Sequence, residues 1–439
     1  MPKTTDLIDP IGAFDAIRDN FILYVQTAFR TKFNYLEDAR KQLLLQDRVM
    51  YREPWAEPLP EYLSSGKQVS ELTEADISGA LNAEELDVFK DLIKNGLMLE
   101  VPGRRRELYA HQAEMLRRAL NGERCIITSG TGSGKTESFL LPLLAQLCRE
   151  LVGWTPPNAP YPAANSWWKA NSHVQNDDVV QLGVPGTGLR EEYQQRGNET
   201  RPAAVRALVL YPMNALVEDQ LTRLRLALDS DKVSQLLAKA GSPAAGNRIT
   251  FGRYTGETPV AGELVKEGKD GPEVNLAKVS KLRERLQELS DNEHRIKQYA
   301  AREALEAGDE RELLAFFPKP DGAEMRSRFD MQEAPPDILI TNFSMLGIML
   351  MREVDEPIFE KTRQWLRGDD LVGLSAEVKK SEVKKRIFHL IVDELHLYRG
   401  TAGTEVACLL RVVLDRLGLH PTHPQLRILA SSASLEPDA

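Results

Sequence analysis

The stretch "IITSGTGSGKTES" (Ile126–Ser138) sets a β-branched run, a glycine-rich turn and a helix-forming segment in immediate succession. That order is what a main-chain cradle for phosphate requires. Gly130, Gly132 and Gly134 have no side chain to hold the backbone away from an anion. Amides at the start of the following helix point towards it. With Thr131 and Ser133 between the glycines, the loop is a candidate nucleotide site. Lys135 reaches the β- and γ-phosphates and the Thr136 hydroxyl ligates Mg²⁺. The generic pattern has glycine where Ser129 stands, and a glycine-rich turn that binds nothing is the bland alternative. Upstream, "ELYAHQAEML" (Glu107–Leu116) brings Gln112 into position to bond an adenine edge, with Tyr109 to pack nearby. An exposed helix glutamine is the competing reading.

Around this loop the chain alternates short β-branched runs with helical stretches, the pattern of a parallel α/β sheet. Predicted strands are 124–129, 206–211, 248–254, 337–341, 387–393 and 426–432. Two segments interrupt them, at about 151–203 and 260–333. The first is rich in Pro, Asn and Gly and carries Trp154, Trp167 and Trp168, which either fold the insertion onto itself or stack on bases. The second is highly charged, with Val279, Leu282, Leu286 and Leu289 at helical spacing. Residues 1–103 read as a mainly helical region, a docking or bracing module. "FDAIRDNFILYVQTAF" puts Ile17, Phe21, Tyr24, Val25 and Ala28 on one face, and "AEELDVFKDLIKNGLM" repeats the period. The proline-rich 51–66 between them is an extended connector. Residues 104–439 form the sheet-containing lobe.

"FHLIVDELHLYRG" (Phe388–Gly400) is an apolar strand ending in paired acids. Carboxylates at the carboxyl end of a parallel strand lie where such sheets bind ligands. Asp393 is suited to hold magnesium through water, and Glu394 to orient or deprotonate an attacking water. The alternative is a pair of surface acids capping a helix. His396 either couples this site to a neighbouring element or is a core histidine.

Composition is ordinary, 42% hydrophobic and 28% charged, with a net charge of -9. This excludes nucleic-acid binding by overall positive charge, though not by a local basic groove. The three cysteines lack paired spacing and read as buried thiols. No signal-peptide pattern or membrane-length apolar run occurs, so the expectation is a cytoplasmic protein without membrane contact.

Taken in order, Gln112, "SGTGSGKT", "YPMNALVEDQ", "YTGET", "ILITNFSML", "DELH" and "SAS" resemble the motifs of superfamily 2 DExH-box helicases. "DELHLYRGTAGTEVACLLRVVL" and "PPDILITNFSML" are similar to the MrfA-type DNA helicases and the large helicases of phage-defence systems of the DISARM and Druantia type. The resemblance implies a RecA-like first lobe that binds ATP and Mg²⁺ and grips DNA, single-stranded or a duplex with a tail. Lys135, Asp393 and Glu394 would be catalytic. Pro212, Asn214, Thr255, Gly256, Thr341 and Asn342 sit at strand-to-helix junctions that would meet nucleic acid. His396, Ser432 and Ser434 would couple the two sites. Each junction taken alone is also ordinary helix capping.

No arginine-finger stretch of the second lobe is present. The resemblance therefore implies hydrolysis that needs a second RecA-like lobe in cis or trans, with defence or repair subunits as further partners. The expectations are a fragment of a longer helicase, a split gene or a stand-alone ATP-binding module. A non-catalytic nucleotide-switched scaffold and an RNA helicase are the rival functions.

Overall fold

The structure is a computed structural model. It describes residues 9–46, 48–52, 61–101, 103, 105–130, 132–157, 195–197, 199–239, 245–260, 265–268 and 271–433. The chain divides into two compact units, Met1–Glu61 and Tyr62–Ala439.

In the first unit two helices are described, Pro10–Ala28 and Asn34–Leu44. Asp9 opens the first by accepting from the amides of Ile11 and Gly12, and Pro10 stands at its first position, where no amide is needed. The predicted apolar face is not buried: Ile17, Phe21 and Tyr24 are 70%, 50% and 61% exposed, and Ile22 is the buried position. Ile11 and Leu23 are exposed as well. Apolar residues thus lie all round this helix, more than one short partner helix can enclose.

The second unit is built on a six-stranded parallel sheet of RecA-like α/β type. Its strands are β1 (Cys125–Thr128), β2 (Ala207–Tyr211), β3 (Phe251–Arg253), β6 (Ile338–Asn342), β7 (Phe388–Val392) and β8 (Leu426–Ser432), in the order β1-β8-β7-β2-β6-β3. Every described pair in it is parallel. All five residues of β2 and of β7 are buried, as expected for strands covered on both faces.

Successive residues point to opposite sides and build two cores. Val209, Tyr211, Ile340, Ile391 and Leu429 pack with the helices Ala83–Asn95, Ala110–Leu120 and Lys135–Val152. Leu208, Leu210, Leu339, Leu390 and Ala430 pack with Phe343–Met351, Glu356–Arg367 and the end of Gly400–Arg416. Residues 62–103 belong to the first of these cores: Leu86, Phe89, Leu92 and Ile93, on the predicted helix, are buried in it.

The second insertion holds a hairpin, β4 (Val265–Gly268) with β5 (Gly271–Val274), that the sequence did not announce. The helix Leu276–Arg302 follows, and its Leu282, Leu286 and Leu289 pack on Val260 and Phe329. Most of the first insertion, Trp167 and Trp168 included, lies outside the described residues. Trp154 is described, with the Arg201 guanidinium 3.7 Å over its ring. Cys148 is buried as expected, whereas Cys408 is exposed on the helix Gly400–Arg416. No helix among the described residues is long and apolar enough to cross a membrane.

At the amino ends of β2 and β6 a buried charge network ties insertion to sheet. Asp337 meets Arg201 at 2.6 Å and Arg206 at 2.8 Å, all at most 2% exposed in the side chain. Thr250 adds donors from its amide and hydroxyl at 2.8 and 3.0 Å. Burial by itself would raise the Asp337 pKa, but Arg201, Arg206 and Arg196 outweigh it and hold the carboxyl well below the usual range. Removing one partner leaves buried charge uncompensated. Asp337→Ala is therefore expected to destabilise the lobe by about 3–5 kcal/mol, measured by urea unfolding followed by circular dichroism.

Candidate functional site

The carboxyl ends of β1, β8 and β7 open into one cleft of about 730 Å³. Register explains why. Thr128 of β1 lies beside Ser432 of β8, and Val392 of β7 beside Ala430. The chain leaving β1 and the chain leaving β7 therefore emerge on either side of β8.

From β1 the backbone turns through Gly132 and Gly134, at φ +79° and +71°, into the helix beginning at Lys135. Such angles cost an L-residue and suit glycine. A Cβ on Gly134 would collide with Gln112 Nε2, whereas a Cβ on Gly132 would meet nothing within 4 Å. Gln112 is only 2% exposed. Its Oε1 accepts the Tyr109 amide at 3.0 Å and its Nε2 donates to the Gly134 carbonyl at 3.1 Å. Beside it His111 Nε2 lies 2.9 Å from the Ser133 carbonyl. These adjacent residues brace the loop from its rear. Expected at an adenine edge, Gln112 here spends both ends of its amide within the protein, with one N–H to spare. Thr131 lies outside the described residues.

Asp393, 7% exposed, follows β7. Its amide donates to the Leu210 carbonyl of β2 at 3.0 Å, and its carboxylate accepts from the Ser431 hydroxyl and, at 3.0 Å, from the Glu394 amide. Burial pushes its pKa upward; the Ser431 hydrogen bond opposes this, and the neighbouring Glu394 charge adds to it. Glu394 has φ +52°, a strained value for a non-glycine residue at a sharp turn. That turn brings its Oε1 to 3.9 Å from Lys135 Nζ. The predicted catalytic trio Lys135, Asp393 and Glu394 is thus gathered in one cleft.

His396 Nδ1 lies 3.2 Å from Glu394 Oε2, 3.4 Å from Ser432 Oγ and 3.4 Å from the Ala433 amide nitrogen. One ring nitrogen serves all three. With a proton it faces the carboxylate; without one it accepts from the amide. His396 and Ser432 therefore meet as expected, and Ser434 lies outside the described residues.

The junction residues cluster at the other half of the same edge, where Tyr211 of β2 pairs Asn342 of β6 and Arg253 of β3 pairs Ile340. The Thr255 and Thr341 side chains turn inward. Thr341 is fully buried and donates to the Tyr254 carbonyl at 2.6 Å. Thr255 is fully buried, and its Oγ1 accepts the Glu257 amide at 3.3 Å. Asn342 caps the next helix through the Met345 amide at 2.8 Å. Gly256 is exposed and Pro212 half-buried. What this edge offers outward at Gly256 is main chain.

Residues the sequence did not single out also act here. Ser431 holds Asp393, Tyr62 packs at a tilt against Tyr109 and edge-on against His111, and Gln220 and Arg223 contact the start of the loop helix.

A glycine-rich loop and an acidic pair, Asp393 buried and Glu394 half-buried, thus meet at one edge of a parallel sheet. Residues 109–249 match the DEAD/DEAH box helicase family. It is similar to the Druantia protein DruE of Escherichia coli (strain UMEA 4076-1), 28% identical over 451 residues, which take in 97% of this chain and 20% of that protein. The chain thus spans a fifth of that relative's length. Two solved structures align at low similarity. The DUF1998 helicase MrfA bound to DNA and AMPPNP has a TM-score of 0.39 at 15% identity, covering 86% of this chain and 28% of that one. MrfA bound to DNA scores 0.37 at 16%, covering 81% and 27%.

Gly134→Ala would add left-handed strain of roughly 1–2 kcal/mol to the collision with Gln112. It is expected to weaken nucleotide binding at least about tenfold, as measured by titration with a fluorescent ATP analogue.

Proposed function

We propose that this chain is the first, ATP- and DNA-binding lobe of a superfamily 2 DNA helicase or translocase. The observation that carries this is the convergence of Lys135, Asp393 and Glu394 in one cleft with His396 against Ser432.

The residues fit ATP with magnesium. The loop gives positive-φ glycines and a helix start, and Ser133 Oγ is buried without a partner. Thr136 and Asp393 are hard oxygen donors. No cluster of three or more His, Cys, Asp or Glu ready to hold a metal occurs among the described residues. Magnesium takes few protein ligands and completes its shell with phosphate and water. When bound, the ion neutralises charge between the β- and γ-phosphates. Thr136 and Asp393 would hold it, Asp393 through water. Lys135 reaches the same phosphates. Glu394 orients the attacking water and takes its proton.

DNA runs along the β2, β6 and β3 ends, gripped by main-chain amides after Pro212, at Gly256 and at the Asn342-capped helix. Contacts of this kind position a phosphate backbone without reading bases. His396 reports nucleotide state to the Ser432 segment. Efficient turnover draws an arginine finger from a second lobe, worth about 10³–10⁵ in rate. Similarity to the Druantia protein DruE supports a role in defence; other subunits as partners belong to the same proposal.

The test is ATPase activity of the full-length protein with no nucleic acid, with single-stranded DNA and with matched RNA. DNA should stimulate turnover, and Glu394→Gln should lower it by about 10²-fold or more while nucleotide affinity holds. Turnover indifferent to DNA, or to the Glu394 change, would favour a nucleotide-switched scaffold. Stimulation by RNA alone would reassign the substrate.

A further inference from the structure

The helix Asn214–Leu224 leaves β2 at the junction edge, yet its later turns reach the nucleotide loop. Gln220 and Arg223, three residues apart, share a face of it. They meet two consecutive residues of the loop helix. Gln220 Nε2 donates to Thr136 Oγ1 at 3.1 Å, and Arg223 pairs with Glu137. Gln220 is 6% exposed and Glu137 7%. Arg223 is held from behind by Asp219 at 3.0 Å.

We propose that Gln220 is a positioning residue for magnesium: it aims the Thr136 hydroxyl, with the Arg223–Glu137 pair fixing the same helix start as a second strut. This rests on Thr136 being a magnesium ligand. A threonine hydroxyl has two lone pairs and one proton. The Gln220 N–H engages one lone pair, leaving the other for a divalent cation and the proton for a phosphate oxygen. Without that donor the hydroxyl rotates among alternatives, and the cation must select one. Orientation of a ligand by an outer hydrogen bond is typically worth about 10–100-fold in metal affinity. Because the same helix starts at the β2 junction, it also joins the metal ligand rigidly to the edge assigned to DNA.

The experiment measures binding of a fluorescent non-hydrolysable ATP analogue to the full-length protein, first in EDTA and then across a Mg²⁺ titration. Gln220→Met keeps length and burial but removes the donor. It should leave affinity in EDTA unchanged and raise the Mg²⁺ midpoint about tenfold. Gln220→Asn, a methylene too short to reach, should shift the midpoint in the same direction, and gives the comparison if the methionine variant fails to fold. In a Thr136→Val background the Met substitution should add nothing. A wild-type midpoint in the variants overturns the proposal. So does an equal loss in EDTA and in Mg²⁺, which marks simple packing. A wild-type protein whose binding ignores Mg²⁺ removes the underlying site assignment, and this proposal with it.

Discussion

Both halves of the candidate nucleotide site hang on β8. That strand is bonded to β1 on one side and to β7 on the other. Parallel pairing forces all three to end at the same edge, the edge where sheets of this kind bind ligands. Beyond the ladder, the Ser129 amide donates to the Ser432 carbonyl at 3.3 Å, so the phosphate loop starts from a fixed point. On the other flank Ser431 holds Asp393, and Ser432 and Ala433 meet His396. A one-residue slip of β8 would invert its side chains. Ser431 would leave Asp393, and the two flanks would lose their common reference.

The polar groups of the cleft are largely held by protein before any ligand arrives. Gln112 and His111 take loop carbonyls, Gln220 takes the Thr136 hydroxyl, and Ser431 takes Asp393. Such preorganisation matters for phosphoryl transfer, where the protein contributes positioning and electrostatics. It also links the two ends of the sheet edge. The Asp393 amide is bonded to Leu210 of β2, two residues before Pro212. Displacement of Asp393 is therefore felt directly at the junction assigned to DNA.

The sheet was legible in the sequence because β2, the first three residues of β6 and Leu390–Val392 of β7 are continuous apolar runs, the mark of strands covered on both sides. The loop and the acid pair were legible because local order alone defines them. Contacts that depend on tertiary folding were not. Gln112 meets a carbonyl 22 positions away and Gln220 a hydroxyl 84 positions away, and neither spacing leaves a trace in a linear pattern. Thr255 and Thr341 drew notice as strand-to-helix junctions of the resembled motifs; their hydroxyls hydrogen-bond within the protein, to partners that a linear pattern does not show. The hairpin β4–β5 escaped notice because "VKEG" and "GPEV" carry glycine, proline and charge in place of β-branched residues. In the first helix the apolar period was real, but the surface it marks stays exposed in its unit.

The central claim is that one sheet edge serves nucleotide and nucleic acid together, through β8, His396 and the β7–β2 contact. The most direct measurement is the affinity of the full-length protein for labelled single-stranded DNA, by fluorescence anisotropy, with and without saturating Mg²⁺ and a non-hydrolysable ATP analogue. Two sites on shared strands should differ in DNA affinity by about 5–150-fold between the two conditions, with nucleotide affinity changing reciprocally when DNA is added. DNA binding of equal strength in both conditions would contradict the account.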